Sequence, residues 1–296
     1  MKKQKDASAV TSRLISSPIR RMFPVFLLPM VAAFAIGFVW PFIQGIYLSF
    51  CQFRTTSDAK FIGLGNYLKA LQDPTFLHSF WYTALYALVS LVLINVLAFT
   101  VAYALTQKLR GSSIFRTVFF MPNLIGGIVL GYIWSMIFDG ILGKYGTSIV
   151  LNSTYGFWGL IVLMCWQQIG YMMIIYIAGL QNVPPDLLEA ASIDGATPIQ
   201  QLFKIKIPMV MSSITICMFL TLTNAFKLFD QNLALTSGEP SHMTELLALN
   251  IYNTFYARSG PQWKGIGQAK AVIFAIVVVA IALVQLKATR SKEVQA

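Results

Sequence analysis

The sequence predicts an all-α polytopic membrane protein: six transmembrane helices, with a helical segment outside the bilayer between the fourth and the fifth. Three observations predict it. Of the 296 residues, 56% are hydrophobic and only 11% charged. A soluble domain carries about a quarter of its residues as charged side chains, so most of this surface faces lipid or other apolar helices. Apolar runs of the roughly 18 residues or more that a span requires occupy about 23–50, 81–106, 113–138, 157–180, 209–230 and 268–287. They do not alternate apolar with polar residues, as a lipid-facing barrel strand does.

The third observation is where the basic residues lie. Lys2, Lys3, Lys5, Arg13, Arg20 and Arg21 precede the first run. Lys108, Arg110 and Arg116 separate the second from the third, Lys204 and Lys206 the fourth from the fifth, and Lys287, Arg290 and Lys292 follow the sixth. That places fourteen on one face, against six on the other: Arg54, Lys60, Lys69, Lys144, Arg258 and Lys264. The positive-inside rule then puts both termini in the cytoplasm, and only an even number of spans preserves the asymmetry. The formal charge of +11 is accordingly a signal of topology rather than of nucleic-acid binding.

Taken in order, residues 1–21 form a basic tail, loosely ordered or lying on anionic lipid, and 22–296 a single membrane domain. The first apolar run continues past any signal-peptide cleavage site, so it reads as an anchored span. In the outer loop 51–80, "NYLKAL" is helical, with Asn66 as N-cap and Asp73-Pro74 as its stop. Pro122 and Gly126-Gly127 predict a kink or close packing in the third span. The loop 139–156 is Gly- and Ser-containing. The longest loop, 231–267, carries the helical pattern "TELLALNIYNTFY" with Thr244 as cap. No internal duplication marks a pair of fused transporter repeats. Cys51, Cys165 and Cys217 have neither metal-ligand spacing nor a disulfide framework.

Several chemistries find no residues. The nearest approach to a phosphate-binding loop, "DGILGKYGT", has its first Gly too close to Gly143-Lys144 and no hydroxyl after the Lys. His78 and His242 lie in different loops without partners. Asp230 is the only acid near a span core, whereas a proton-coupled carrier or an intramembrane enzyme needs ionisable groups at depth. No catalytic residue, cofactor or metal is expected.

The informative stretch is 182–208, "NVPPDLLEAASIDGATPIQQLFKIKIP". Pro184-Pro185 ends the fourth span and starts a new helix. "DLLEAASID" favours helix, with Asp186 and Glu189 near its positive end. Gly195 stops it; Thr197, Pro198 and Gln200 form a capping box with a first-turn Pro. A second helix, "IQQLFKIKI", leads to Pro208. Residues alone leave two readings open, a folded docking element or an interfacial hairpin that merely connects two spans.

Glu189-Ala190-Ala191, Gly195 and Ile205-x-Ile207-Pro208 resemble the EAA loop of the permease subunits of bacterial ABC importers, in particular the sugar and oligosaccharide branch of maltose-type permeases. The resemblance extends over all six spans, including "FFMPNLIGGIVLGYIW" and "FDQNLALTSGEP". Ile207 replaces the usual Leu before Pro, and Glu239 a common Gly. The resemblance implies a type I importer permease fold. It makes the EAA loop a coupling helix, through Leu187, Leu188, Glu189, Ala190, Ala191, Asp194 and Gly195, seated in a groove of a separate ATPase. Implied partners are a second, similar permease, two ATPase copies, an extracellular solute-binding protein and a sugar, in a bacterial cell membrane.

Two spans carry polar residues at mid-depth. "CWQQIGY" sets Gln168 and Tyr171 on one face of the fourth; Thr221, Asn224, Leu228 and Gln231 form a stripe along the fifth. Such residues line a path or glue helices together. The resemblance implies sugar contacts on these helices, hence Gln168, Tyr171, Thr221, Asn224 and Leu228. Lys227 snorkels outward or pairs with Asp230. The alternatives are import of a non-sugar solute such as a polyol phosphate, and, less favoured, a secondary carrier or channel.

Overall fold

A computed structural model describes residues 22, 23, 25–107 and 111–290, without the side chains of 288–290. The basic tail expected over 1–21, and Lys108, Arg110 and Lys292 of the charge argument, lie outside the described residues. Helix α1 (Val25–Ser49) is followed by a two-residue antiparallel pair, β1 (Cys51–Gln52) and β2 (Lys60–Phe61). Helices α2 (Gly65–Gln72), α3 (Pro74–Leu105), α4 (Ser112–Phe120), α5 (Gly127–Leu142) and α6 (Ser153–Gln181) come next. Then α7 (Pro185–Ile193), α8 (Pro198–Met209), α9 (Met211–Phe226), α10 (Asp230–Leu235), α11 (Leu247–Tyr252) and α12 (Pro261–Arg290) complete the chain. Among the described residues five helices are long and apolar enough to cross a membrane, or six when α8 and α9, bent by 70° at Val210, are counted as one span.

The spine is α3 against α6. Ile94, Ala98 and Ala102 of α3 pack with Met172, Met173 and Tyr176 of α6 and Cys217 of α9 in one buried cluster. Small residues on the α3 face allow the close approach that replaces hydrophobic driving force inside lipid. Polar groups join the same three helices. Tyr176 donates to Asn95 Oδ1 at 2.7 Å, and Asn95 Nδ2 donates to Thr221 Oγ1 at 3.2 Å. A second cluster links Tyr86, Leu160, Leu163, Ala225 and Leu235. By contrast, most of α1 is left exposed by the other described residues, and only its last turn, at Leu48 and Ser49, is buried.

Two spans are more broken than their composition suggests. The helix expected over 113–138 divides into α4, a 3-10 turn at Met121–Leu124, and α5. Pro122 cannot donate to the helical ladder, and Gly126 is extended at φ −62°, ψ 142°. At the break, Gly170 of α6 comes so close that a Cβ on it would lie 1.8 Å from the Phe119 carbonyl oxygen. Nearby, Gln167 Nε2 donates to the freed Ile125 carbonyl at 3.3 Å. The fifth span, expected over 209–230, ends its membrane helix at Phe226, and α10 restarts only at Asp230. Thr221 and Asn224 therefore do not share a continuous helical face with Leu228 and Gln231.

Two expected caps are also relocated. Asn66 lies within α2, buried, and its amide donates to the Ser49 and Cys51 carbonyls at 2.9 and 2.8 Å, clamping α2 to the end of α1. Thr244 donates to the Glu239 carbonyl at 2.6 Å, while α11 begins after Leu246.

Candidate functional site: a helical hairpin and a polar cleft

The hairpin 182–209 is built from local chemistry. Pro185 opens α7 at the position where a missing N–H costs nothing. Gly195, at φ +80°, reverses the chain in a conformation that strains any residue with a Cβ. Ala196 N donates back to the Ala191 carbonyl at 2.9 Å, and Gly195 N to that of Ser192 at 3.1 Å. The expected capping box is present: Gln200 N donates to Thr197 Oγ1 at 3.3 Å and Thr197 N to Gln200 Oε1 at 2.8 Å. Gln201 Nε2 then bonds Ser192 Oγ at 2.9 Å, tying α8 to α7.

The hairpin has an inner and an outer side. Leu188 and Ile205 pack against the cluster that contains Leu180, Val183 and Val210. Leu187 is 45%, Ile193 87% and Ile199 70% exposed. Glu189, Ala190, Asp194 and Gly195 are exposed and Ala191 is half-buried. Leu188 thus roots the hairpin in the bundle, and the outward apolar contacts are left to Leu187 and Ile193.

A polar cleft of about 330 Å³ opens beside the break between α9 and α10. Its lining brings together Gln167 and Gln168 of α6, Asn224 of α9, Lys227, Leu228 and Phe229 of the break, and Asp230 and Gln231 of α10, with Asn123 from the broken third span. Gln231 Nε2 donates to Gln167 Oε1 at 2.7 Å, so these two amides hold each other. Of the residues expected on a solute path, Gln168, Asn224 and Leu228 line this cleft. Tyr171 packs at the edge of the α3–α6 cluster, and Thr221 is buried in its bond with Asn95. Lys227 and Asp230 both point into the open and are not among the ion pairs of the described residues.

The face opposite the hairpin holds a network that the sequence reading missed. Lys270 of α12 is fully buried. Its ammonium bonds Asp73 Oδ2 at 2.8 Å, Asn250 Oδ1 at 2.9 Å and Thr254 Oγ1 at 2.8 Å. Arg258 Nη1 reaches the same Asp73 oxygen at 3.2 Å. Glu245, also buried, accepts from Asn250 at 2.9 Å and from Asn253. Burial tends to raise the Asp73 carboxyl, but hydrogen bonds from Lys270 and Thr75 and the Lys270 charge outweigh it and hold it at about 2. Asp230 is therefore not alone among ionisable groups at span ends. The available signal was a lone Lys in the apolar run "GQAKAVIFAIV".

Fold and site together define a multi-pass membrane protein in which a capped helical hairpin leads into a bent helix that borders a polar cleft. Residues 110–288 match the family described as "Binding-protein-dependent transport system inner membrane component". The chain is 39% identical to the probable starch degradation products transport system permease protein AmyD of Thermoanaerobacterium thermosulfurigenes, over 92% of this chain and 94% of that one. It is 29% identical to the multiple sugar-binding transport system permease protein MsmF of Streptococcus mutans, covering 91% and 95%. With the sn-glycerol-3-phosphate transport system permease protein UgpA of Brucella abortus the figures are 28%, 90% and 94%. A bacterial ABC transporter that imports the acidic polysaccharide alginate shares the fold, with a TM-score of 0.79 at 19% identity over 94% of this chain and 98% of that one. The chain belongs to the family of binding-protein-dependent transport system inner membrane components, and is a permease subunit.

Proposed function

We propose that this permease imports a sugar or oligosaccharide delivered by an external binding protein, and that an ATPase seated on α7 drives it. In this reading both termini and the hairpin face the cytoplasm, a second permease completes the pathway, and ATP hydrolysis belongs to the partner chain. The observation that carries it is mechanical. Helix α7 is tied to α8 by the Gln201–Ser192 bond, the Thr197–Gln200 box caps the start of α8, and α8 runs through a bend at Val210 into α9, which borders the cleft at Asn224. A displacement of α7 reaches the cleft with no slack linker between. Leu187, Ile193 and Ala190 supply an apolar contact and Glu189 a charge for a basic groove. The relatives named for starch products and multiple sugars support sugar as cargo.

The test is uptake and ATP hydrolysis by the complex that co-purifies with this chain, assayed with a panel of oligosaccharides and the candidate binding protein. Glu189→Lys is expected to lower sugar-stimulated hydrolysis at least about tenfold, the loss of a charged contact plus repulsion, while membrane insertion is retained. Normal transport by that variant removes Glu189 from the docking role.

A further inference from the structure

We propose that Asn95 is a positioning residue for energy coupling, one that clamps α6 and α9 to each other and to α3 so that a displacement of the hairpin moves the three helices as one body. This rests on the import reading above and adds how the drive spreads from the hairpin to the cleft.

The hairpin joins α6 through residues 182–184 and α9 through the bend at Val210, and has no direct chain connection to α3. Inside lipid no hydrophobic force holds helices together, so apolar contact alone lets one helix turn or slide along another. Asn95 of α3 supplies direction. Its Nδ2 donates to Thr221 Oγ1 of α9 at 3.2 Å and to the Leu91 carbonyl of its own helix at 2.8 Å. Its Oδ1 accepts from the Tyr176 hydroxyl of α6 at 2.7 Å. One amide thus meets three helices, and the bond to Leu91 fixes its orientation.

The clamp lies on a close seam. Ser213, Cys217 and Thr221, spaced four residues apart on α9, are all buried. A Cβ on Gly179 of α6 would lie 2.3 Å from Ser213 Oγ, and Cys217 Sγ lies 3.7 Å from the Met172 carbonyl. Small side chains permit this approach without setting a register. Thr221 sets it. A slip of one residue carries its hydroxyl about 1.5 Å along the axis and about 100° around it, away from Asn95, and leaves polar groups unpaired at membrane depth. Asn224, three residues beyond Thr221, lines the cleft together with Gln167 of α6. With α9 held in register these two walls travel together, so the cleft is carried whole instead of being squeezed between α6 and α9. Thr221, expected on the solute path, serves the clamp.

The experiment measures ATP hydrolysed per maltotriose taken up by the complete complex in proteoliposomes with its binding protein. Asn95→Leu and Thr221→Val are each expected to raise that ratio about threefold or more, the factor that one interhelical hydrogen bond in a membrane commands. Thr221→Ser keeps the hydroxyl and is expected to restore the wild-type ratio. Hydrolysis and uptake that fall in parallel show a packing role only and overturn the proposal, as does an unchanged ratio in both variants. If Asn95→Leu does not assemble, Thr221→Val decides, since it exchanges one hydroxyl for a methyl. A double-variant cycle in the melting of the complex gives a second reading: the loss in Asn95→Leu with Thr221→Val is expected to be smaller than the sum of the single losses, and additive losses remove the clamp. That cycle stands even where the wild type takes up no maltotriose, a result that counts against the import reading alone.

Discussion

Replacing Lys270 by Met keeps most of the side-chain length and removes the charge at the centre of the network opposite the hairpin. Three bonds of 2.8–2.9 Å are lost at once, to Asp73, Asn250 and Thr254. Breaking a buried ion pair from one side typically costs about 3–5 kcal/mol, because the remaining charge is left uncompensated. Here Arg258 stays 3.2 Å from Asp73 and Thr75 still donates to it, which moderates that part. Asn250 Oδ1 loses its ammonium donor in a buried setting, which adds about 1 kcal/mol or more. The balance is a loss of about 3 kcal/mol, readable as reversible unfolding in mixed micelles. The reasoning also fixes a sign for the double variant. Asp73→Asn with Lys270→Met removes both charges of the pair, although it also takes the carboxylate from Arg258, so its loss is expected to be smaller than the sum of the two single losses. If Lys270→Met unfolds within about 0.5 kcal/mol of wild type, the range of a neutral surface change, or the double variant loses the sum of the singles, the network does not hold the outer end together.

Three further outcomes follow from the same geometry. The Asp73 carboxyl, held at about 2, is depressed relative to the unfolded chain, so its stabilisation is complete above about pH 4 and is lost as pH falls towards 2; in acid titration of unfolding, Asp73→Asn is expected to flatten that limb. Gly170→Ala puts a Cβ 1.8 Å from the Phe119 carbonyl; it must push α4 from α6, and is expected to cost at least about 1–3 kcal/mol, seen as a lower melting temperature or loss of assembled complex. Thr197→Ala removes one arm of the capping box, about 1 kcal/mol of hairpin stability, and is expected to weaken stimulated ATP hydrolysis while membrane insertion and expression match wild type.

Sequence alone determined the membrane class, the six crossings and the hairpin, because each is written in local terms. Apolar length decides a span whatever its neighbours, and Pro185, Gly195 and the Thr197–Gln200 box act through backbone groups a few residues away. Tertiary structure decided where helices break and which polar groups meet. Whether Pro122 merely kinks a span or splits it depends on Gly170 of another helix, and the fifth span stops at Phe226 although its composition continues. Asn66 looks like a cap but serves carbonyls 17 and 15 residues away, and Thr244 bonds the Glu239 carbonyl instead of capping α11. Lys270 acquires meaning only through Asp73, 197 residues away, and Gln168 separates from Tyr171 because burial, not spacing, sets which side chain reaches the cleft. Local periodicity encodes the elements; long-range contacts, which it does not encode, assign the polar residues their partners.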